Sequence, residues 1–500
     1  MNRRAGGQVG RRLVVSVAAL AWLLGVAQLE AQTAKRLDAK LDAAPFNRNL
    51  WGVALMDEGG HLLYGRNADR MFVPASNTKI IVAAVASALL APDWTVNTSL
   101  YSTGPVVNGV IRGDLILYGR GDPTFSKRCY GTDSTVAGAC DADPFAKLRQ
   151  LAQSLKARGV VTVAGDLVGD GSYFEPKLVH GDWSSYDVSW WYAAPVSGLG
   201  FNDNSVTILW GPGNATGAPA VLSLTPALGD VTLENRARTV LPDSETTIDF
   251  YRREGTLTIW AEGDVALGNR GGDEDFAMPD PNLFTARALR QVLAEEGIAV
   301  QGTTRSTTDS MACAQARATA PLAEVSSRPL KDWIFPILNT SQNWFAEMTL
   351  KQLGRQFGTA GSWEEGIKVE TRFLIDSVKA DSTQFALADA SGLSASDLVS
   401  PETFARVLRF IRRHPHYATF AAGLPQSGNT GSLKNRFLGT PLEGLVRAKT
   451  GSISRVNTLS GYIEKKNGRV LIFSIQANNH QLKSRDILPR MDSVVVEMGR

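Results

Sequence analysis

Pro74-Ala-Ser-Asn-Thr-Lys-Ile-Ile-Val-Ala-Ala-Val-Ala-Ser-Ala-Leu-Leu90 is the stretch on which the reading of this chain turns. From Ser76 to Leu90 it is rich in Ala, Ile, Val and Leu and free of glycine, which predicts a helix buried on most of its surface. Ser76 stands at the first turn and Lys79 one turn later, and positions i and i+3 share a helix face. A serine hydroxyl is a poor nucleophile until a neighbour takes its proton. Lys79 has that position, and apolar neighbours such as Ile80 and Ile81 favour its neutral form by desolvation. The hydroxyl also lies where orphan backbone N–H groups and the positive end of the helix dipole favour negative charge. A plainer alternative fits the same residues, with Ser76 as a helix N-cap and Lys79 on the surface. One Ser-x-x-Lys does not decide between them.

Outward from this helix the chain changes texture twice. Before it, Leu50 to Leu55 and His61 to Tyr64 alternate like two strands joined by a turn at Asp57 to Gly60. From about residue 97 to 321, short β-branched runs are cut by Gly, Pro, Asn and Asp, as in Gly113-Asp-Leu-Ile-Leu-Tyr-Gly119 and Thr256-Leu-Thr-Ile-Trp260. Helical stretches at Pro144 to Ala157 and near Phe284 to Glu296 interrupt them, and Gly121-Asp-Pro-Thr124 reads as a turn. From Pro329 onward helices return at Asn343 to Gln356, Trp363 to Val378 and Pro401 to Arg413. Strands at Leu459 to Glu464 and Arg469 to Gln476, joined by the Asn467-Gly468 turn, precede a last helix after Lys483. The two ends share one texture and the middle has another, so the simplest organisation is a domain inserted into a domain: residues 28–96 and 322–500 around a β-rich insertion at 97–321.

Composition limits the function classes. The 500 residues carry 20% charged and 44% hydrophobic side chains, enough for two or three self-sufficient cores. A net charge of +3 is too small for a nucleic-acid footprint. Arg3, Arg4, Arg11 and Arg12, the apolar run Leu13 to Val26 and the small residues Gly25, Ala27 and Ala31 read as a secretory signal peptide. Cleavage after Ala27 fits better than after Ala31, which makes residues 1–27 the leader. The run is shorter than the roughly 20 residues of a spanning helix, so no transmembrane segment is expected after cleavage. Arg11-Arg12 also permits the twin-arginine route. In an exported chain Cys129 and Cys140 are the best candidates for a disulfide, leaving Cys313 alone. No Cys-x-x-Cys occurs and the five histidines form no zinc pattern, so neither metal nor cofactor is expected. His414 and His416, around Pro415, mark a helix end instead.

What changes the standing of Ser76 and Lys79 is their company. Ser341-Gln-Asn343 opens a helix late in the chain, and Arg447-Ala-Lys-Thr-Gly-Ser452 reads as a strand leading to the terminal hairpin. Ser427-Gly-Asn429 also matches Ser-x-Asn, but it lies among Pro425, Gly428 and Gly431 as a loop would, whereas Ser341 stands at a helix start. Ser-x-x-Lys, Ser-x-Asn and Lys-Thr-Gly in this order are the motif set of penicillin-binding proteins and serine β-lactamases. Finer stretches narrow the match: Pro74-Ala-Ser-Asn-Thr-Lys79, Gly121-Asp-Pro-Thr124, Tyr192-Ala-Ala-Pro-Val-Ser-Gly-Leu-Gly-Phe-Asn-Asp-Asn204, Asn339-Thr-Ser-Gln-Asn343, Asp389-Ala-Ser-Gly-Leu393 and Lys449-Thr-Gly451. On these the chain resembles the D-alanyl-D-alanine carboxypeptidase/endopeptidase group of low-molecular-mass class C penicillin-binding proteins, peptidase family S13. In that family a large insertion separates the first two motifs, as the 265-residue spacing from Ser76 to Ser341 requires.

The resemblance implies an α+β fold: a serine β-lactamase/DD-peptidase-like transpeptidase domain, helices packed on an antiparallel sheet, carrying a large β-rich insertion of one or two subdomains. It implies Ser76 as nucleophile, Lys79 as its base and Ser341 as a proton relay to the leaving amine. Asn343, Lys449 and Thr450 bind substrate, with Lys449 and Thr450 on the terminal carboxylate, and the backbone N–H groups of Ser76 and Ser452 form the oxyanion hole. The implied partners are peptidoglycan stem peptides, with β-lactam antibiotics as covalent inhibitors, in the periplasm or cell-wall space. Gln342 departs from the Asp or Gly more familiar at the middle of the second motif, and is expected to point away from substrate. Two other readings compete. A β-lactamase uses the same motifs, but with the first two far closer together. A silent β-lactam-sensing or wall-binding module has no need of a nucleophile and base together.

Overall fold

Alternation in Leu50–Asp57 sends Trp51, Val53 and Leu55 to one side and Ala54 and Met56 to the other, and both sides are apolar cores. A strand buried on both faces belongs inside a sheet covered by helices, and the computed structural model has that arrangement. It describes residues 31–126, 143–229, 231–253 and 256–500. Five antiparallel strands run in the order Leu62–Arg66, Leu50–Asp57, Val470–Asn478, Val456–Glu464 and Val446–Ile453. The sheet is therefore woven from the two ends of the chain, with Leu50 opposite Asn478 and Asp57 opposite Leu471.

One face of this sheet is covered by the Ser484–Met498 helix, through Ile487, Met491, Val494 and Val495, together with Leu37 and Leu41. Against the other face lie the helices of the larger core, among them Pro401–Arg412. The Lys79–Leu89 helix runs through the middle of that core, and every residue from Lys79 to Ser87 is buried. The helix expected from Ser76 thus begins differently: Ala75–Thr78 is a separate 3₁₀ turn that feeds the α-helix at Lys79. The tighter turn at a helix start is common and re-aims the side chains on it. The late helices lie at Asn343–Phe357, at Trp363–Phe373 with a π-turn extension to Val378, and at Pro401–Arg412.

The middle of the chain builds other sheets around a second core. A five-stranded sheet orders Thr304–Thr307, Leu167–Asp170, Leu115–Tyr118, Asn97–Ser102 and Ala323–Ser326. Smaller sheets include Val221–Thr225, Ser205–Gly211 and Gly272–Ala277, and the group Thr232–Val240, Thr258–Ala266 and Asp249–Arg252. Ala146–Ala157 and Pro281–Glu295 are the two expected helical interruptions, and a short helix at Ala314–Arg317 adds another. Parallel pairs occur here, such as Leu115–Tyr118 beside Leu167–Asp170, and they are absent from the sheet of the two chain ends. The overall class is α+β. Ala323–Ser326, after the last β-rich stretch, turns back to pair with Asn97–Ser102.

The two cores are tied together by polar contacts. In the Gly121-Asp-Pro-Thr124 turn, Asp122 Oδ1 accepts from the Thr124 N–H at 2.7 Å, and Lys147 Nζ reaches Asp122 Oδ2 at 2.9 Å. Gln352, on the Asn343–Phe357 helix, donates to the carbonyls of Arg120 and Gly121. Gly121 has φ +77°, and a Cβ there would lie 2.4 Å from the Phe174 ring and 2.6 Å from Gln352 Nε2, so only glycine lets this helix approach the turn. Cys129 and Cys140 lie outside the described residues, as does the leader. Cys313 is buried and has no disulfide partner among the described residues. Among the described residues no helix is long and apolar enough to cross a membrane.

Candidate active site

The short turn Ala75–Thr78 presents Ser76 at the end of the buried helix that begins with Lys79. Ala75 is held at φ 47°, a left-handed conformation uncommon outside glycine, immediately before Ser76. Gly392 presses on this turn, since a Cβ there would lie 1.9 Å from the Ala75 carbonyl oxygen. The Val446–Ile453 strand closes the other side. A Cβ on Gly451 would lie 2.3 Å from Thr458 Oγ1, 2.8 Å from the Pro74 carbonyl oxygen and 3.0 Å from the Asn77 nitrogen. The glycine of Lys449-Thr-Gly451 is thus what allows the edge strand to lie against the nucleophile turn. Asn77 anchors that turn by donating to Ser460 Oγ at 2.7 Å, and Thr458 Oγ1 donates to the Pro74 carbonyl at 2.8 Å.

Lys79 is fully buried, and its Nζ has three partners: Ser76 Oγ at 3.0 Å, Asn343 Oδ1 at 2.6 Å and the Ser391 carbonyl at 2.6 Å. Two of these are carbonyl oxygens, which only accept. A neutral amine has two N–H donors and one lone pair, so with both donors committed to Asn343 and Ser391 the lone pair is left for the Ser76 hydroxyl proton. Burial lowers the Lys79 pKa to about 8, and the negative charges of Asp389, Glu347 and Asp397 keep it from falling further. Proton acceptance near neutral pH is therefore chemically available to this lysine.

Across the cleft a second serine and lysine meet. Lys449 Nζ donates to Ser341 Oγ at 2.9 Å and to the Thr450 carbonyl at 2.7 Å, and Thr450 Oγ1 reaches Ser432 Oγ at 2.8 Å. Burial, followed by the nearby Lys79, pushes the Lys449 pKa well below its ordinary value. Ser341 has φ 62°, a second left-handed residue at the site. Gln342 turns inward: its Oε1 caps the helix by accepting from the Trp344 N–H at 2.9 Å, and its Nε2 donates to Asp203 Oδ2 at 3.0 Å. Ser452 sits one residue beyond the glycine, opposite Asn457, whose Nδ2 donates to Ser452 Oγ at 2.6 Å.

The six residues thus form two hydrogen-bonded groups, Ser76 and Asn343 on Lys79 and Ser341 and Thr450 on Lys449. Ser427, of the rejected Ser-x-Asn copy, instead bonds its hydroxyl to the Leu442 carbonyl at 2.9 Å, as a buried loop residue. Sequence reasoning missed three supports. Asn343 holds the base itself, and its Nδ2 is fixed by the Tyr192 carbonyl at 2.7 Å. The Ser391 carbonyl is the other fixed acceptor of Lys79. Behind it, Asp389 accepts from the N–H groups of Gly392 and Ser394 at 2.6 and 2.8 Å and from Trp183 Nε1 at 2.9 Å. Main-chain carbonyls carry no residue signature. Only the Asp389-Ala-Ser-Gly-Leu393 stretch hinted at the last of these.

The description "D-Ala-D-Ala carboxypeptidase 3 (S13) family" matches residues 33–498. The chain belongs to that family. Among S13 relatives, the D-alanyl-D-alanine carboxypeptidase of Actinomadura sp. (strain R39) is 30% identical over 96% of this chain and 89% of its own length. The D-alanyl-D-alanine carboxypeptidase DacB of Haemophilus influenzae is 22% identical over 86% and 85%. The crystal structure of penicillin binding protein 4 (dacB) from Haemophilus influenzae superimposes with a TM-score of 0.77 at 21% identity, covering 93% of this chain and 99% of that one. The fold of this S13 chain is therefore that of penicillin binding protein 4.

Proposed function

We propose that this chain is a serine DD-peptidase that hydrolyses the D-alanyl-D-alanine bond of peptidoglycan stem peptides through an acyl-enzyme on Ser76. Family membership supports the reaction class, and the threefold hold on Lys79, which leaves its lone pair to Ser76 Oγ, is the observation that carries the mechanism. Lys79 takes the Ser76 proton as Oγ attacks the carbonyl carbon between the last two D-alanines. Negative charge develops on the carbonyl oxygen in front of the Ser76 and Ser452 N–H groups. The proton taken by Lys79 reaches the departing amine by way of Ser341, already hydrogen-bonded to Lys449, the C–N bond breaks, and D-alanine leaves with Lys79 neutral again. Water then attacks the ester, giving its proton to Lys79, which returns it to Ser76 Oγ as the shortened peptide is freed. Lys449 and Thr450 hold the terminal carboxylate, which supplies the anion that the buried Lys449 lacks among the described residues. No cofactor enters any step.

β-Lactams present a similar acyl group and carboxylate, and a solved complex of the Haemophilus protein holds one. We assign them here as covalent inhibitors on Ser76. The chain acts after export, in the periplasm or cell-wall space, with residues 28–96 and 322–500 as the peptidase domain and 97–321 as its insertion, except that Ala323–Ser326 pairs with Asn97–Ser102 and so joins the insertion. The test uses the purified mature chain with stem pentapeptide, monomeric and cross-linked muropeptides, nitrocefin and a fluorescent penicillin. Release of D-alanine and a stoichiometric penicillin adduct on Ser76 are expected. Rapid multiple turnover of nitrocefin would move the assignment to a β-lactamase. Acylation of Ser76 with no muropeptide cleaved would move it to a sensor.

A further inference from the structure

We infer that Glu347 is a positioning residue for the base, holding the Ser391 carbonyl on Lys79 from beneath the Asp389-Ala-Ser-Gly392 loop. Glu347 lies four residues after Asn343 on the same helix, so one helix face supplies both supports of Lys79. Asn343 reaches the lysine directly. Glu347 acts at one remove: its Oε1 accepts from the Ser391 N–H at 2.8 Å, both its oxygens lie 3.2 Å from the Ala390 nitrogen, and Oε2 accepts from Trp363 Nε1 at 2.8 Å. The peptide unit that follows carries the Ser391 carbonyl that accepts from Lys79 at 2.6 Å, and its own N–H, on Gly392, is held by Asp389. The side chain is fully buried, so it contacts no solvent and serves only its protein partners.

Burial and then Asp389 push the Glu347 pKa up to about 7, against the donors of Ser391, Trp363 and Ala390, which favour the carboxylate. Glu370, buried nearby with neither carboxyl oxygen partnered among the described residues, is raised well above the usual carboxylate range by burial, Glu347 and Asp389. The other charged groups around this pocket are Asp389, Asp397, Lys79 and Lys351. Lys351 Nζ lies 3.4 Å from the Trp363 ring centroid and pairs with Glu175 at 3.3 Å, and its pKa is lowered to about 8 by burial. His180 packs on the Trp363 ring and responds to Asp389, Lys177, Asp182 and Lys351. Glu347 therefore has two effects on Lys79, a geometric one through Ser391 and an electrostatic one that favours the protonated lysine.

This inference rests on Lys79 being the base that activates Ser76, and the experiment separates the two. The rate of Ser76 acylation by a fluorescent penicillin is measured against pH for the wild-type chain, Glu347→Gln and Glu347→Asp, with thermal unfolding of each. In Glu347→Gln an amide replaces an acceptor facing the Ser391 N–H, and acylation falls about tenfold to a hundredfold. Because a negative charge near Lys79 is lost, the rising limb of the pH profile also moves to lower pH. Glu347→Asp keeps the charge but not the reach, so its rate falls with the limb unmoved, and it carries the geometric part of the test if the amide variant does not fold. Folded variants acylated at the wild-type rate with the wild-type limb would overturn the inference. Failure of the wild-type chain itself to be acylated at Ser76 would instead overturn the nucleophile assignment.

Discussion

Two Ser–Lys pairs face each other across the cleft, and they are built by opposite means. Ser76 and Lys79 are three residues apart on one turn, whereas Ser341 and Lys449 are 108 apart and meet only because a helix start and an edge strand converge. Lys79 is surrounded by acceptors and overlooked by the acids Asp389, Glu347 and Asp397. Lys449 bonds a hydroxyl and its neighbour's carbonyl, and the charge that bears on it is the like charge of Lys79. The contrast teaches that a residue type does not set a role: the first lysine is poised to exchange a proton, and the second is left short of an anion.

The comparison breaks most clearly by exchanging each lysine for alanine and resolving penicillin acylation into non-covalent affinity and the chemical rate. Lys79→Ala is expected to lower the chemical rate by about 10²–10⁴ with affinity nearly kept. Lys449→Ala is expected to weaken affinity instead, by about 1.5–3 kcal/mol for a lost charge-assisted hydrogen bond. Both variants moving the same parameter would erase the distinction. A pH titration sharpens it. Lys79 must be neutral to act, so the acylation rate rises with pH up to about 8, the value set by its burial, by roughly tenfold per unit well below it. A rate that falls over pH 6 to 8 would contradict the role of Lys79.

Smaller effects test the walls that bring the pairs together. Gly451→Ala places a Cβ 2.3 Å from Thr458 Oγ1 and against the nucleophile turn, and about 1–3 kcal/mol of stability should be lost together with acylation. Unchanged unfolding would mean that strand and turn separate easily. Gln342→Ala removes a helix cap and the bond to Asp203, and urea unfolding should show a loss of about 1 kcal/mol with the acylation rate little altered.

Legibility in the sequence followed the range of each interaction. Spacing offered Ser76 and Lys79 as a pair without deciding for it, and helix bounds such as Asn343–Phe357 and Pro401–Arg412 fell within a residue of their patterns. Strands with strong alternation, such as Leu50–Asp57, were equally plain. Lys449 and Ser341 needed an ordered motif set, because nothing in either segment alone indicates the other. The supports of Lys79 were hidden for a physical reason: the Tyr192 and Ser391 groups are main-chain carbonyls, and Glu347 reaches its loop across 44 residues. The 3₁₀ turn at Ala75–Thr78 was also missed, since its left-handed Ala75 is imposed by the packing of Gly392 and not by local preference. Gln342 was expected to avoid substrate, and its bonds to Trp344 and Asp203 give the reason.

The pairing of Leu50–Asp57 with Val470–Asn478 bears on how the site comes into being. Lys449 follows Ser76 by 373 residues (449 − 76), and loop closure over such a span must precede any reward from the contacts it makes. A nascent or truncated chain ending before Val446 can form its buried helix and the β-rich middle, yet it lacks the edge strand that completes the cleft. The cleft around the nucleophile therefore stays open on one side until the Val446–Ile453 strand has been made and has docked.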